Sequence, residues 1–124
     1  MVCASMGVTG FMLVLSLSVM VVSGKDWIVG DGKGWTFNVS GWEKGKKFVR
    51  DDYLIFNYNP KMHNVLEVAT SEYKACDISA IPSRNFSSGH DRVQLVGVMA
   101  SYICGTLGHC GRGMKIHMAI EDKE

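Results

Sequence analysis

From Lys25 onward no stretch of this chain keeps a helical period; short apolar or alternating runs follow one another, separated throughout by turn-forming residues. Residues 26–29 read as a strand, closed by the glycine-rich turn Gly30-Asp31-Gly32-Lys33-Gly34. Residues 35–39 and 47–49 read as short strands. The strongest strand signal is Tyr53-Leu54-Ile55-Phe56-Asn57-Tyr58, rich in aromatic and branched side chains and ended by Asn59-Pro60. Residues 65–69, 92–96, 100–104 and 115–120 complete the set, and the polar stretch 70–77 has room for a helical turn. Short strands recurring every 8–12 residues or about that predict an all-β fold, an antiparallel sandwich or barrel. In the last strand Met114, Ile116, Met118 and Ile120 share one face, while Lys115, His117 and Ala119 share the other. That period points Met114 inward and His117 outward.

The first 24 residues stand outside this pattern. They contain no Asp, Glu, Lys, Arg or His, and residues 11–22 form an almost unbroken apolar run. Such a run suits the core of a secretory leader, and Val22-Ser23-Gly24 offers small residues for cleavage before Lys25. An uncleaved membrane anchor is the rival, disfavoured by the Ser, Thr and Gly scattered through the segment. The expectation is a leader over residues 1–24 and one folded domain over 25–124. All 13 Lys and Arg and all 12 Asp and Glu follow Gly24, leaving that domain at +1. No basic stripe calls for nucleic acid, and no acidic tail calls for a polycation. Export would make Asn38-Val39-Ser40 and Asn85-Phe86-Ser87 usable sequons, with Asn38 and Asn85 the glycosylation candidates.

Export also changes the cysteine arithmetic. Cys3 leaves with the leader, and Cys76, Cys104 and Cys110 remain. An odd number in an oxidising compartment means one disulfide and one thiol with another task. The densest chemistry lies in Cys104-Gly-Thr-Leu-Gly-His109-Cys110-Gly-Arg-Gly-Met114, a loop between two strands whose glycines let it fold around one point. It presents a thiolate, an imidazole and a thioether together. Joined by a second imidazole, this is the trigonal His₂Cys set with a weak axial Met that favours copper in electron transfer. His63, at the turn in Lys61-Met62-His63-Asn64-Val65, is the candidate for that imidazole. Its neighbour Asn64 is placed to hydrogen-bond across to the Cys104 loop and support the thiolate. With Cys104 as the copper thiolate, Cys76 and Cys110 are left to pair, closing a loop whose entropy is worth roughly 4 kcal/mol. Pairings that use Cys104 stay open at this level, but they leave the His/Met set without a purpose.

These segments carry a family resemblance. Over residues 26–120 the chain resembles the phytocyanins, the plant branch of the cupredoxins, and within them most the plantacyanins or basic blue proteins. The resemblance rests on Trp35-Thr36-Phe37-Asn38, Trp42-Glu43-Lys44-Gly45-Lys46, Leu54-Ile55-Phe56-Asn57-Tyr58, Met62-His63-Asn64-Val65 and the loop 104–115. The last two are highly specific in combination. The resemblance implies a Greek-key β-sandwich with copper at one end and a disulfide matching Cys76–Cys110. It also implies the ligand set His63, Cys104, His109 and Met114. Met at the axial position is the plantacyanin and uclacyanin pattern; stellacyanin-like members carry Gln there, and nodulin-like relatives lack ligands. No Pro/Ser-rich region or lipid-anchor signal is visible after Ile120. Two features depart from the pattern. Relatives often carry a Pro where this chain has Leu107-Gly108, and +1 is modest beside strongly cationic members.

The function expected is one-electron transfer by a secreted, extracellular (apoplast or cell-wall) type 1 copper protein. It is expected to be a monomer free of the membrane once the leader is gone. Its redox partner is unidentified and expected to dock beside the exposed edge of His109, near Leu107 and Gly108. The main rival is a cell-wall or signalling interaction protein on the same scaffold, with copper structural or incidental. An enzyme is not expected, since a Cys104–His109 nucleophile pair lacks an orienting carboxylate or amide. Zinc is disfavoured by the Met ligand. His90 and His117 read as solvent-facing, Trp27, Trp35 and Trp42 as core or sandwich-edge residues, and Lys44, Lys46 and Lys47 as a solvated face.

Overall fold

The computed structural model describes residues 24–123, so the expected leader, apart from Gly24, lies outside the described residues. Seven strands and one helix organise them: β1 Asp26–Ile28, β2 Tyr53–Asn57, β3 Val65–Val68, α1 Thr70–Ala75, β4 Arg84–Phe86, β5 His90–Gln94, β6 Met99–Ile103 and β7 Lys115–Ala119. They form two sheets, ordered β1-β2-β5 and β4-β3-β6-β7. The chain crosses between the sheets three times, which gives the Greek-key sandwich expected. The second sheet is antiparallel throughout. The first is not: β1 runs parallel to β2, with Trp27 opposite Leu54. This corrects a purely antiparallel expectation, and the cause is the long excursion between the two strands, which carries the chain from the Ile28 end back to the end where β1 began.

Two expected strands are absent for local reasons. Residues 35–39 are irregular because Asn38 takes a left-handed φ of 62°. Their backbone touches β2 only where Trp35 N–H donates to Asn57 C=O, and then turns to the cysteine loop: Asn38 N–H donates to Arg112 C=O and the following Ser40 N–H to Gly113 C=O. Gly113 permits this approach, since a Cβ there would lie 3.0 Å from Asn38 Cα, and its φ is +85°. Residues 47–49 contribute only the isolated bridge of Val49 to Glu121. Strand β4 lacks an apolar alternation, and its polar residues conceal it.

Leu54, Phe56 and Val93 from one sheet pack against Val65, Ala100, Tyr102, Ile116 and Met118 from the other, with Trp35 sealing one end. Each large side chain removed from water contributes roughly 1.5–3 kcal/mol. On the outer face of the second sheet, Val68, Ile103 and Cys110 form a smaller cluster with Leu66, Tyr73 and Ile78. Strand β6 is therefore buried on both faces over Ala100, Ser101, Tyr102 and Ile103. The disulfide joins Cys76, at the end of α1, to Cys110 in the loop before β7, and Cys104 is the free, buried thiol. Met114, Ile116, Met118 and Ile120 are buried as their alternation predicts. His117 corrects the expectation. It lies on the opposite face, but Tyr73 of α1 covers it at 5.2 Å between ring centres, and its Nδ1 lies 2.6 Å from Ser101 Oγ.

Candidate metal centre

The turn between β2 and β3 presents His63. Met62 and His63 N–H groups both donate to Asn59 C=O at 3.0 Å, which fixes the turn. The next residue, Asn64, ties it to the core: its C=O accepts the Trp35 indole N–H at 2.9 Å. Its side-chain Oδ1 accepts the Gly105 N–H at 2.6 Å, reaching across to the residue after Cys104. The approach is close at Gly105, where a Cβ would fall 2.7 Å from Leu66 Cδ1 and 3.0 Å from Asn64 Oδ1 and would push on both side chains.

The loop from Cys104 to Met114 closes on itself. Cys104 N–H donates to Met114 C=O at 3.1 Å, His109 N–H to Thr106 C=O, and Met114 N–H to His109 C=O. Gly108, with φ +84°, supplies the left-handed bend before His109. Thr106 Oγ1 donates to Met62 C=O at 2.9 Å, a second tie to the His63 turn. The disulfide then fixes the residue beside His109 to α1.

These constraints bring three donor atoms together. His63 Nδ1 and His109 Nδ1 lie 3.0 Å apart, and Cys104 Sγ lies 3.9 and 3.6 Å from them. A triangle of that size holds one ion at roughly the 2.0–2.3 Å of metal–nitrogen and metal–sulfur bonds. Among the described residues this is the one such group of His, Cys and acidic side chains. Met114 is fully buried and packs in the same core cluster as Cys104. His63 is buried, His109 half-buried. Burial, and then the charge of His109, push the His63 imidazole below its usual pKa and favour the neutral ring whose lone pair can bind a metal. Soft thiol, two imidazoles and a thioether suit copper.

Phe37 was not singled out as a site residue, yet its ring meets both imidazoles edge-on, at 5.5 Å from His63 and 4.8 Å from His109. The Arg112 guanidinium lies over the Phe37 ring, 3.9 Å from its centre. The signal in the sequence was an aromatic residue beside Asn38, in a segment whose pairing with a loop rather than a strand was hidden. His90 is exposed, and its ring contacts Asn57 instead of the donor cluster.

The plastocyanin-like domain family matches residues 35–114. Chemocyanin from Lilium longiflorum is 49% identical over 90 residues, 73% of this chain and 71% of that protein. The chain belongs to the phytocyanins. The basic blue protein of Cucumis sativus is 43% identical to this phytocyanin over 90 residues, covering 73% of it and 93% of the relative. The solved structure of cucumber basic protein, a blue copper protein, superposes with a TM-score of 0.72 at 40% identity, covering 77% of this chain and 98% of that one. The cofactor of this phytocyanin is one copper ion, and the donor set fits it.

Proposed function

We propose that this phytocyanin is an exported one-electron carrier whose copper is held by His63, Cys104, His109 and Met114. The observation that carries the reading is the convergence of two imidazole nitrogens and one thiol sulfur within 3.9 Å, on two segments locked together through Asn64. When bound, copper supplies a Cu(I)/Cu(II) couple that passes one electron at a time. The protein's own part is to hold the ligands still. Cys104 is buried and outside the disulfide, and its loop is tied by Asn64, Thr106 and the disulfide. Ligands that do not move between oxidation states keep the reorganisation small. Met114, buried in the same cluster as Cys104, would be the fourth ligand, and its thioether would tune the potential.

His109 is assigned the electron port. Its half-buried ring lies in a loop whose Leu107 is 85% exposed, and Met62 of the adjoining turn is 50% exposed. An apolar rim of this kind is the docking surface for the redox partner. Export follows from the leader reading, and no helix among the described residues is long and apolar enough to cross a membrane. Asn38 and Asn85 are exposed acceptors for glycans.

The test is a visible and electron-spin-resonance titration with Cu(II), with Cys104→Ser alongside. An intense blue thiolate-to-copper band that bleaches on reduction, returns on oxidation and vanishes completely in the variant is the expected outcome. Weak Cu(II) signals indifferent to Cys104 would overturn the site. Stable copper without reversible bleaching would leave an interaction module.

A further inference from the structure

Asp52 immediately precedes β2, at the end of that strand away from the His63 turn, and is only 5% exposed. Its Oδ1 accepts the Lys25 backbone N–H at 2.9 Å, and its Oδ2 accepts the Trp27 indole N–H at 2.9 Å and the Val49 N–H at 3.0 Å. Burial alone would raise its pKa, but these bonds and the Lys25 charge outweigh burial and hold the carboxylate ionised below its usual range. All three donors are formally neutral. Among the described residues no Lys or Arg side chain forms an ion pair with Asp52. The Lys25 side-chain ammonium lies over the Trp27 ring, 3.9 Å from its centre. A buried carboxylate bonded only by neutral groups carries a desolvation cost that a direct cation offsets.

One of the three donors differs in kind. The Lys25 nitrogen becomes the first atom of the chain when the leader is cut after Gly24. Its position is set by the fold, because Lys25 C=O also accepts the Tyr53 N–H at 2.8 Å. The approach to it is narrow: a Cβ on residue 24 would fall 2.0 Å from the Asp51 carbonyl oxygen, so only glycine, or no residue at all, fits there.

We infer that cleavage between Gly24 and Lys25 completes the fold, by placing the new α-ammonium of Lys25 on the buried Asp52 carboxylate as its counter-ion. The inference rests on the export reading above. A leader-cleaving endopeptidase adds water across the Gly24–Lys25 amide. Gly24 departs with the hydroxyl oxygen as a carboxylate, and the Lys25 nitrogen takes a proton from that water. The resulting amine, of ordinary pKa about 7.7–8.0 and beside a carboxylate, takes a second proton at neutral pH. A neutral N–H···O bond thereby becomes a charge-assisted one.

The experiment expresses the full chain in a secreting host, beside a version with one glycine inserted between Gly24 and Lys25. Both exported, copper-loaded products are sequenced from the N-terminus and melted, with and without Asp52→Asn. The unmodified product should begin at Lys25. The product with an extra N-terminal glycine should melt lower by on the order of 5 °C, and that difference should vanish in Asp52→Asn. An exported product that begins elsewhere, an extension without effect, or an equal loss in Asp52→Asn overturns the inference while leaving export intact. A chain that keeps its leader overturns the export reading and the inference together. Should Asp52→Asn fail to fold, the extension alone decides, and an unchanged melting temperature sinks the idea.

Discussion

Tyr102 and Cys104, two residues apart along β6 and its continuation, both face the interior and sit in opposite situations. Tyr102 donates its hydroxyl to Glu67 Oε2 at 2.9 Å. Glu67 also accepts Arg84 Nε at 2.8 Å, Arg84 Nη2 at 2.6 Å and Ser83 Oγ at 3.1 Å. Arg84 continues to Gln94 C=O, bridging the two sheets. The Tyr102 and Ser83 hydroxyls and the Arg84 Nε and Nη2 groups each meet an acceptor. Around Cys104, by contrast, the groups that meet are chiefly lone-pair donors: two imidazole nitrogens and a sulfur. A closed hydrogen-bond network needs nothing further and stiffens the sandwich. A convergent set of lone pairs is an address for a cation. The same strand thus supports structure at one position and chemistry two residues later.

The contrast can be broken from either side. The largest change in stability should come from replacing Cys76 and Cys110 together by Ser, which frees the loop beside His109 and should cost about 4 kcal/mol in denaturant unfolding. If stability hardly moved, the loop would owe its shape to hydrogen bonds alone. Next is Glu67→Gln, which leaves the half-buried Arg84 without its charge partner. It should cost roughly 1–3 kcal/mol at pH 7 and leave the blue band where it was. A shifted band would mean the two clusters are not separate.

The same variant has a pH signature. Burial pushes the Glu67 carboxyl up, but its bonds to Arg84 and Tyr102 outweigh that and hold it below the usual range. A carboxylate depressed in the folded state adds stability that is fully present above the unfolded pKa, about 4.3. That stability is lost as pH falls through the folded value. Thermal melts should therefore show the gap between wild type and Glu67→Gln narrowing below about pH 4. The smallest effect should come from Asn64→Ala, about 1 kcal/mol for one hydrogen bond. Unlike Glu67→Gln it should move the blue band, since it releases Gly105 beside the thiolate.

Much of this arrangement was legible in the residues. The alternation in residues 114–120 places Met114 inward, and the residue types around Cys104 announce the His63, Cys104 and His109 donors that the fold brings together. What stayed hidden depended on contacts between distant segments. The 35–39 stretch reads as a strand by composition, yet after Trp35 it leaves β2 for the loop, where Asn38 turns left-handed to meet Arg112. Phe37 reaches the histidines only because of that turn. His117 follows its predicted face, but nothing in β7 itself tells that α1 lies above it. Strand β4 forms because β3 offers an edge, with Leu66 opposite Asn85, and not because Arg84, Asn85 and Phe86 favour extension.

The donors come from far apart along the chain: 41 residues separate Cys104 from His63, and 46 separate His109 from it. Contacts of such sequence separation close late, because loop entropy is lost before they return anything. The three atoms therefore meet only after β3, β6 and the loop before β7 are docked. A partly folded chain presents an isolated thiol and scattered imidazoles, which bind copper loosely and in other geometries. Colour in this protein is then a clock as well as a spectrum. During refolding with the metal present, its appearance should coincide with the final packing of the sandwich rather than with early collapse.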